Sequence, residues 1–304
     1  MKNTLFILAG PTAVGKTDLS IELAKRLNTE IISADSRQVY KEMNIGTAIP
    51  SKEQLSEVKH HMIQNKSIPE YFSAGKYELE VLDILKNLFR KKKSVLLTGG
   101  SGMYIDAVCK GIDPLPPPDK TIRRKLTHKF ETEGIESIRF DLKHIDPEYY
   151  ESVDLNNPKR ILKALETWYQ TGKKYSSIVK GKAKNRPFNM EYIVLERDRQ
   201  KLYDRINQRT DIMFDNGWID EAKKLHKHKG INALNTVGYK EIFAYFDGIH
   251  SLERAKELIK RNTRHYAKRQ ITWFKRYENA FRIHPEETEK IFIFVENALS
   301  QANE

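Results

Sequence analysis

A single cysteine, Cys109, stands in 304 residues. One thiol excludes a disulfide framework and any zinc site built on cysteines, and it sets the expectation of a reducing, cytoplasmic compartment. Long apolar runs are missing as well. None approaches the roughly 20 residues that a membrane-spanning helix requires, so no membrane association is expected. The first apolar stretch, Leu5 to Ala9, is too short for a signal peptide and leads straight into a glycine turn. There is no internal repeat and no low-complexity tract. Acid is scarce against base, with 41 Asp and Glu facing 53 Lys and Arg for a net charge of +12. The apolar fraction, 39%, is low and the charged fraction, 31%, is high. A wide solvated surface follows, on a chain long enough for about two domains with sizeable cores.

The shortage of acid is local. From Lys260 to Arg276 there are seven Lys and Arg and no acidic residue, and from Gly172 to Met190 six more, again with none. These two windows account for the net charge, and basic charge so confined suits a surface that tracks a polyanion, nucleic acid first. The plainer reading is a solvated helix face and an exposed loop. Tyr266, Trp273 and Phe274 are interleaved in the first window and Tyr277 follows it directly, and their helical spacing assigns them to the core rather than to base stacking.

What is present in full is a phosphate loop. Gly10-Pro11-Thr12-Ala13-Val14-Gly15-Lys16-Thr17 fits G-x-x-x-x-G-K-[ST] at every fixed position. Its flanks fit too: an apolar strand-like run precedes it, and Asp18 to Leu27 places Leu19, Leu23, Ala24 and Leu27 on one helical face. Gly10 and Gly15 let backbone N–H groups curl around a phosphate at the positive end of that helix. Lys16 adds a point charge, and the Thr17 hydroxyl is placed to ligate Mg2+.

Strand-like and helix-like pieces alternate through the first hundred residues: strands at 4–9, 30–34 and 94–98, helices at 17–27 and about 77–90. This β-α-β order predicts an α/β fold, a parallel sheet of the P-loop NTPase type covered by helices on both faces. The stiff run Asp113-Pro114-Leu115-Pro116-Pro117-Pro118 marks a boundary. Beyond it a polar helical insertion domain is expected. Within it, Asn157 and Pro158 open one helix as N-cap and first-turn proline, and Gly172 closes it. A strand at 192–195 returns the chain to the sheet, followed by long helices at about 199–213 and from 252 past 274. The expected division is a first core part at 1–118, the insertion at 119–189, and a second, mostly helical core part at 190–304.

Asp35 lies just past the second strand. Ligands of parallel sheets bind beyond the carboxyl ends of strands, so its carboxylate is placed to ligate magnesium or to take a proton from an acceptor; capping the next turn is the plainer role. Thr98-Gly99-Gly100-Ser101-Gly102 is a second glycine turn at the same sheet edge. Arg205 and Arg209, four apart on one helical face, suit a diphosphate leaving group or a lid. Ion pairs with Asp204 or Asp211 are the alternative. His60-His61 lacks a third metal ligand and is read as structural.

With these pieces in view, the chain resembles the bacterial tRNA dimethylallyltransferases, also called tRNA isopentenyltransferases. The matching segments are GPTAVGKT at 10–17, DSRQVY at 35–40, NIGTA at 44–48, GGSGMYI at 99–105, NPKRILKALE at 157–166, VGYKE at 237–241 and AKRQITWFKR at 267–276. They span nearly the whole chain, and DSRQVY and KRQITWF are the most particular. The family commonly has Thr where this chain has Ser101, and often Lys where it has Ile49; the hydroxyl role carries over, a charged role at 49 does not. The zinc finger of some eukaryotic relatives is ruled out by the lone cysteine.

The resemblance implies transfer of a dimethylallyl group from dimethylallyl diphosphate to N6 of adenosine 37 in tRNA. It implies that residues 10–17, with Thr17 on Mg2+ and with Arg209, hold the diphosphate. Lys16, Asp35 as general base and Ser101 would be catalytic. Asp35, Ser36, Arg37, Gln38 and Ser101 would meet the adenosine. Arg123, Lys159, Arg160, Ile161, Leu162 and Lys163 of the insertion would grip the anticodon stem-loop. A monomer is expected. The competing classes are an adenylate isopentenyltransferase acting on free AMP or ATP, a P-loop small-molecule kinase, and a non-catalytic RNA-binding module.

Overall fold

A strand that is apolar at consecutive positions needs cover on both faces, and Leu5-Phe6-Ile7-Leu8-Ala9 is such a strand. The structure is a computed structural model and describes residues 3–301. Residues 1, 2 and 302–304, the outer ends of the first and last expected segments, lie outside the described residues. Six strands, β1 (Thr4–Ala9), β2 (Ile31–Ser33), β3 (His60–His61), β4 (Ser94–Gly99), β5 (Asn189–Leu195) and β6 (Phe281–Ile283), form one sheet in the order β3-β2-β4-β1-β5-β6. All neighbours are parallel.

The two-residue side-chain period divides β1 between two cores. Leu5, Ile7 and Ala9 pack with Val95 and Leu97 of β4 on one face, and Phe6 and Leu8 pack with Leu96 on the other. The first face is covered chiefly by helices Ala74–Leu88, Gly102–Lys110, Trp218–Leu225 and Tyr239–Phe246. Lys16–Arg26, Arg199–Asp215 and Thr288–Gln301 cover the second. The Leu252–Phe274 helix serves both, with Ile259 and Phe274 in the first core and Ala267 in the second. The expected helix-covered parallel sheet is therefore the architecture. β3 and β6, and the helices at 52–57, 218–225, 239–246 and 288–301, were not placed from sequence. A two-residue strand such as His60–His61 carries no periodicity; pairing with β2 alone makes it a strand.

The described residues form two compact units, one of residues 3–109 with 185–301 and one of residues 110–184. The second begins earlier and ends earlier than the expected 119–189. At its start, the proline-rich run belongs to it: Gln170 Nε2 donates to Pro117 O at 2.9 Å and Gly181 N to Asp113 Oδ2 at 3.0 Å. At its end, Asn189 already pairs with Thr4 in the sheet.

The second unit is a helical bundle around Leu126, Ile138, Leu142, Ile161 and Leu165. Its Pro158–Thr171 helix opens at Asn157 and stops at Gly172 (φ +68°), but the Asn157 side chain makes no capping bond. Asp119 does cap: Thr121 N and Ile122 N donate to its Oδ1 at 2.8 and 2.9 Å, opening the Lys120–Glu133 helix. Asp119→Ala should lower the stability of this unit by about 1 kcal/mol, the usual cost of losing such a cap. Urea denaturation followed by helix circular dichroism would read it, and an unchanged midpoint would mean that solvent replaces the cap.

Candidate active site

The carboxyl ends of β1, β2 and β4 open onto a cavity of about 390 Å³. The turn after β1 is the phosphate loop. Ala13 sits at φ +65° and Gly15 at φ +117°, a left-handed alanine storing about 1–2 kcal/mol that the surrounding loop must offset. Gly15 occupies the N-cap of the Lys16–Arg26 helix and supplies no side-chain cap. The first-turn N–H groups of that helix are thus left for an anion.

Lys16 Nζ donates to Gly10 O at 2.9 Å and to Pro11 O at 2.8 Å, folded back along the loop. Burial, with the neighbouring Arg209 guanidinium, pulls its pKa down to about 7, while the Asp35 carboxylate opposes the shift. Arg209 donates to the Thr12 hydroxyl. Burial lowers its pKa too, again opposed by Asp35. Arg205 Nε donates to Ala13 O at 2.9 Å. Neither arginine takes the ion-pair alternative: Asp204 accepts from Gln200 and Asp211 pairs with Lys260. Lys16, Arg205 and Arg209 thus converge on the loop, and Lys16 and Arg209 share the cavity with Asp35.

Asp35 follows β2 and lines the cavity. Its Oδ1 accepts from Arg37 N at 2.8 Å and Gln38 N at 3.2 Å, so the turn-capping role is real and uses one carboxylate oxygen. Of the other tRNA-side residues, Arg37 Nη1 reaches Asn232 O, and Ser36 is half-buried. Gln38 Nε2 donates to Thr47 O and Ala48 O while its Oε1 accepts from Ser33 Oγ. Gln38 therefore builds the cavity wall. Ser101 is not among the cavity-lining residues; it leads into the Gly102–Lys110 helix, with its N–H on Ala34 O at 3.0 Å. The turn must be glycine here, because a Cβ on Gly99 would lie 2.2 Å from Ala34 O.

Three residues escaped the sequence reading. Gln270, buried, bridges the two glycine turns. Tyr266, assigned to the core, lines the cavity, where burial raises its phenol pKa. Glu221 accepts from Asn44 N, Ile45 N and Gly46 N at 2.8–3.0 Å and from Tyr239 OH at 2.6 Å, fixing the segment that carries Thr47 and Ala48. Gln270 and Glu221 act through hydrogen bonds to distant backbone, which leave no periodicity or charge signature.

In the helical unit, Lys159 and Arg160 are exposed on the Pro158–Thr171 helix. Ile161 is 0% exposed and Leu162 packs against the same core, so these two support the helix from inside rather than offering side chains to a partner. Arg123 and Lys163 flank the buried Glu166, at 2.5 and 3.9 Å. The basic windows also divide. Lys260 pairs with Asp211, Arg264 donates to Asn207 Oδ1, and Arg276 pairs with Asp106 at 2.9 Å. Arg186 is enclosed with Glu78 and donates to Ala107 O and Val108 O. Arg261, Lys268, Arg269 and Lys275, and Lys173, Lys174, Lys180 and Lys182, remain exposed.

His60 and His61 are structural: His60 Nδ1 lies 2.8 Å from Val58 O, and His61 Nε2 pairs with Glu30 at 2.5 Å. No group of three or more His, Cys, Asp or Glu among the described residues could hold a metal. The Thr17 hydroxyl and Asp35 line the cavity. Such a sparse oxygen donor set fits a magnesium ion that arrives with a phosphate and keeps its waters. No helix among the described residues is long and apolar enough to cross a membrane.

The fold and sequence match known proteins over almost their full lengths. The tRNA dimethylallyltransferase 1 of Bacteroides fragilis is 49% identical over 97% of this chain and 98% of its own. The tRNA dimethylallyltransferase of Christiangramia forsetii is 47% identical, over 99% of this chain and 100% of its own. The crystal structure of the tRNA isopentenylpyrophosphate transferase of Bacillus halodurans superposes with a TM-score of 0.73 at 35% identity, covering 99% of this chain and 98% of that one. A family model described as IPP transferase matches residues 38–277. With this match added to full-length relatives near 50% identity, the chain belongs to the IPP transferase family.

Proposed function

We propose that this chain transfers a dimethylallyl group from dimethylallyl diphosphate to N6 of the adenosine at position 37 of tRNA, beside the anticodon, and releases diphosphate. What carries the reading is one cavity at the strand ends that holds Lys16, Arg209 and Asp35 together, in a member of this family. The diphosphate lies against the 10–17 loop and the open helix N-terminus. Lys16 and Arg209 neutralise charge as the carbon–oxygen bond to diphosphate breaks. Thr17 would hold a magnesium ion arriving with the diphosphate, and such an ion would supply further neutralisation of that leaving group.

The N6 lone pair takes the dimethylallyl carbon, and the proton that N6 sheds passes to the Asp35 carboxylate through the oxygen that does not cap the turn. The adenosine must leave its stack to enter, and Ser101, which lies outside the cavity lining, supports the acceptor side through its N–H on Ala34 O. Lys159 and Arg160, with Arg123 and Lys163 behind them, meet the phosphates of the anticodon stem-loop, as do the exposed lysines of the 172–190 window. The chain acts as a monomer in the cytoplasm.

The deciding experiment offers labelled dimethylallyl diphosphate and magnesium to the purified protein with bulk tRNA or with AMP. Label in tRNA alone is expected. Label in AMP alone would make the enzyme an adenylate prenyltransferase, and label in neither would overturn the reading.

A further inference from the structure

Gln270 is a neutral, buried side chain on the Leu252–Phe274 helix, 6% exposed, and it reaches into the cavity wall. Its two amide ends are bonded to two different turns. Oε1 accepts from Thr12 N at 2.9 Å, in the phosphate loop after β1. Nε2 donates to Gly100 O at 2.8 Å, in the glycine turn after β4. The fit is tight, since a Cβ on Gly100 would lie 2.3 Å from Nε2. Thr12 is held from its other side as well, where its hydroxyl accepts from Arg209. The Gly100 turn is tied onward to Asp35's strand, because Ser101 N donates to Ala34 O. A single amide thus stands between the phosphate loop and the turn whose next N–H is anchored to Ala34, the residue before Asp35.

We infer that Gln270 is a positioning residue that sets the spacing between the donor half and the acceptor half of this site. The inference rests on the prenyl-transfer reading above. Bond exchange between two bound reactants depends steeply on their separation, and a misplacement of about 1 Å can cost about 10²-fold in rate. An amide suits the task because it satisfies one N–H and one C=O at once, without adding charge beside Lys16 and Arg209. A carboxylate would repel Gly100 O, and an apolar side chain would leave both backbone groups unpaired.

The test compares Gln270→Met, Gln270→Glu and Gly100→Ala with the parent, using tRNA and labelled dimethylallyl diphosphate. Each variant should lose about 10²-fold in kcat with donor affinity within a few-fold of the parent, measured by equilibrium binding. Each should also divert label to dimethylallyl alcohol, because water (replacing the displaced acceptor) takes the allylic carbon while diphosphate departs and a proton is released to solvent. A purely structural role would lower the active fraction and leave the ratio of alcohol to prenylated tRNA unchanged.

Gly100→Ala acts by pushing Nε2 away, so it should cost little more in a Gln270→Ala background, a coupling read by a double-mutant cycle. Parent kcat and parent product ratio in a folded Gln270→Met protein would overturn the inference, as would full additivity in the cycle. If the parent itself transferred no label to tRNA, the reading beneath the inference would fail first, and the binding arm would show whether the donor loop still works.

Discussion

Asp35→Asn should lower kcat for tRNA prenylation by about 10²–10⁴-fold, the range for removing a general base. The substitution is clean because of how Asp35 is held. Its Oδ1 accepts from Arg37 N and Gln38 N, and asparagine offers an oxygen in the same place, so the turn and the Gln38 bonds to Thr47 and Ala48 survive. What changes is the second oxygen, which becomes an NH₂ group that takes up no proton. Single-turnover kinetics should show the loss in the chemical step, with tRNA and donor affinities near those of the parent. An unchanged kcat would reduce Asp35 to its capping role. A loss fully restored by raising the magnesium concentration would instead make it a metal ligand.

Lys16→Ala removes the phosphate-loop ammonium proposed to neutralise the departing diphosphate and should cost about 10²–10³-fold in kcat, the scale of a major electrostatic contact. It also deletes a proton equilibrium. In the free protein Lys16 titrates near a pKa of about 7, because burial and Arg209 disfavour the ammonium. A bound diphosphate favours the ammonium and raises that pKa. Above pH 7, therefore, donor binding takes up a proton, and affinity falls as pH climbs from about 7 toward the bound-state value. Below pH 7 the lysine is already charged, and the dependence flattens. Calorimetry of donor binding at pH 8 in two buffers of different ionisation enthalpy should reveal the uptake in the parent and its absence in Lys16→Ala. Equal proton uptake in both proteins would mean that another group carries it. Parent-level turnover by Lys16→Ala would remove Lys16 from the mechanism.

Both predictions draw on residues that local sequence made visible. A phosphate loop needs consecutive residues between one strand and one helix, so GPTAVGKT could be read as a phosphate site before any fold was known. Asp35 was reachable because the carboxyl end of a parallel strand is a ligand position in any helix-covered sheet. The sheet itself was legible from β1, whose unbroken apolar run demands cover on both faces, and from the return of such runs at 94–98 and 192–195. Arg205 and Arg209 shared a helical face by spacing alone; that both turn to the loop, Arg205 to Ala13 and Arg209 to Thr12, rather than to Asp204 or Asp211 is a tertiary fact.

By itself, then, the sequence determined the class of fold, the phosphate-loop motif, the carboxylate at the strand end and the resemblance to the family, because each depends on neighbours a few residues apart. Only the tertiary structure decided which members of the basic windows are free. Lys260, Arg264, Arg276 and Arg186 meet partners 49 or more residues away, whereas Lys268, Arg269 and Lys275 stay exposed. It alone placed Ile161 inside the helical unit, and it alone joined Gln270 to Thr12 and Gly100, at separations of 258 and 170 residues. A hydrogen bond between such distant positions exists only when the sheet order has brought β1 beside β4 and a later helix across their ends. Composition and periodicity, which report on local neighbours, carry no trace of it.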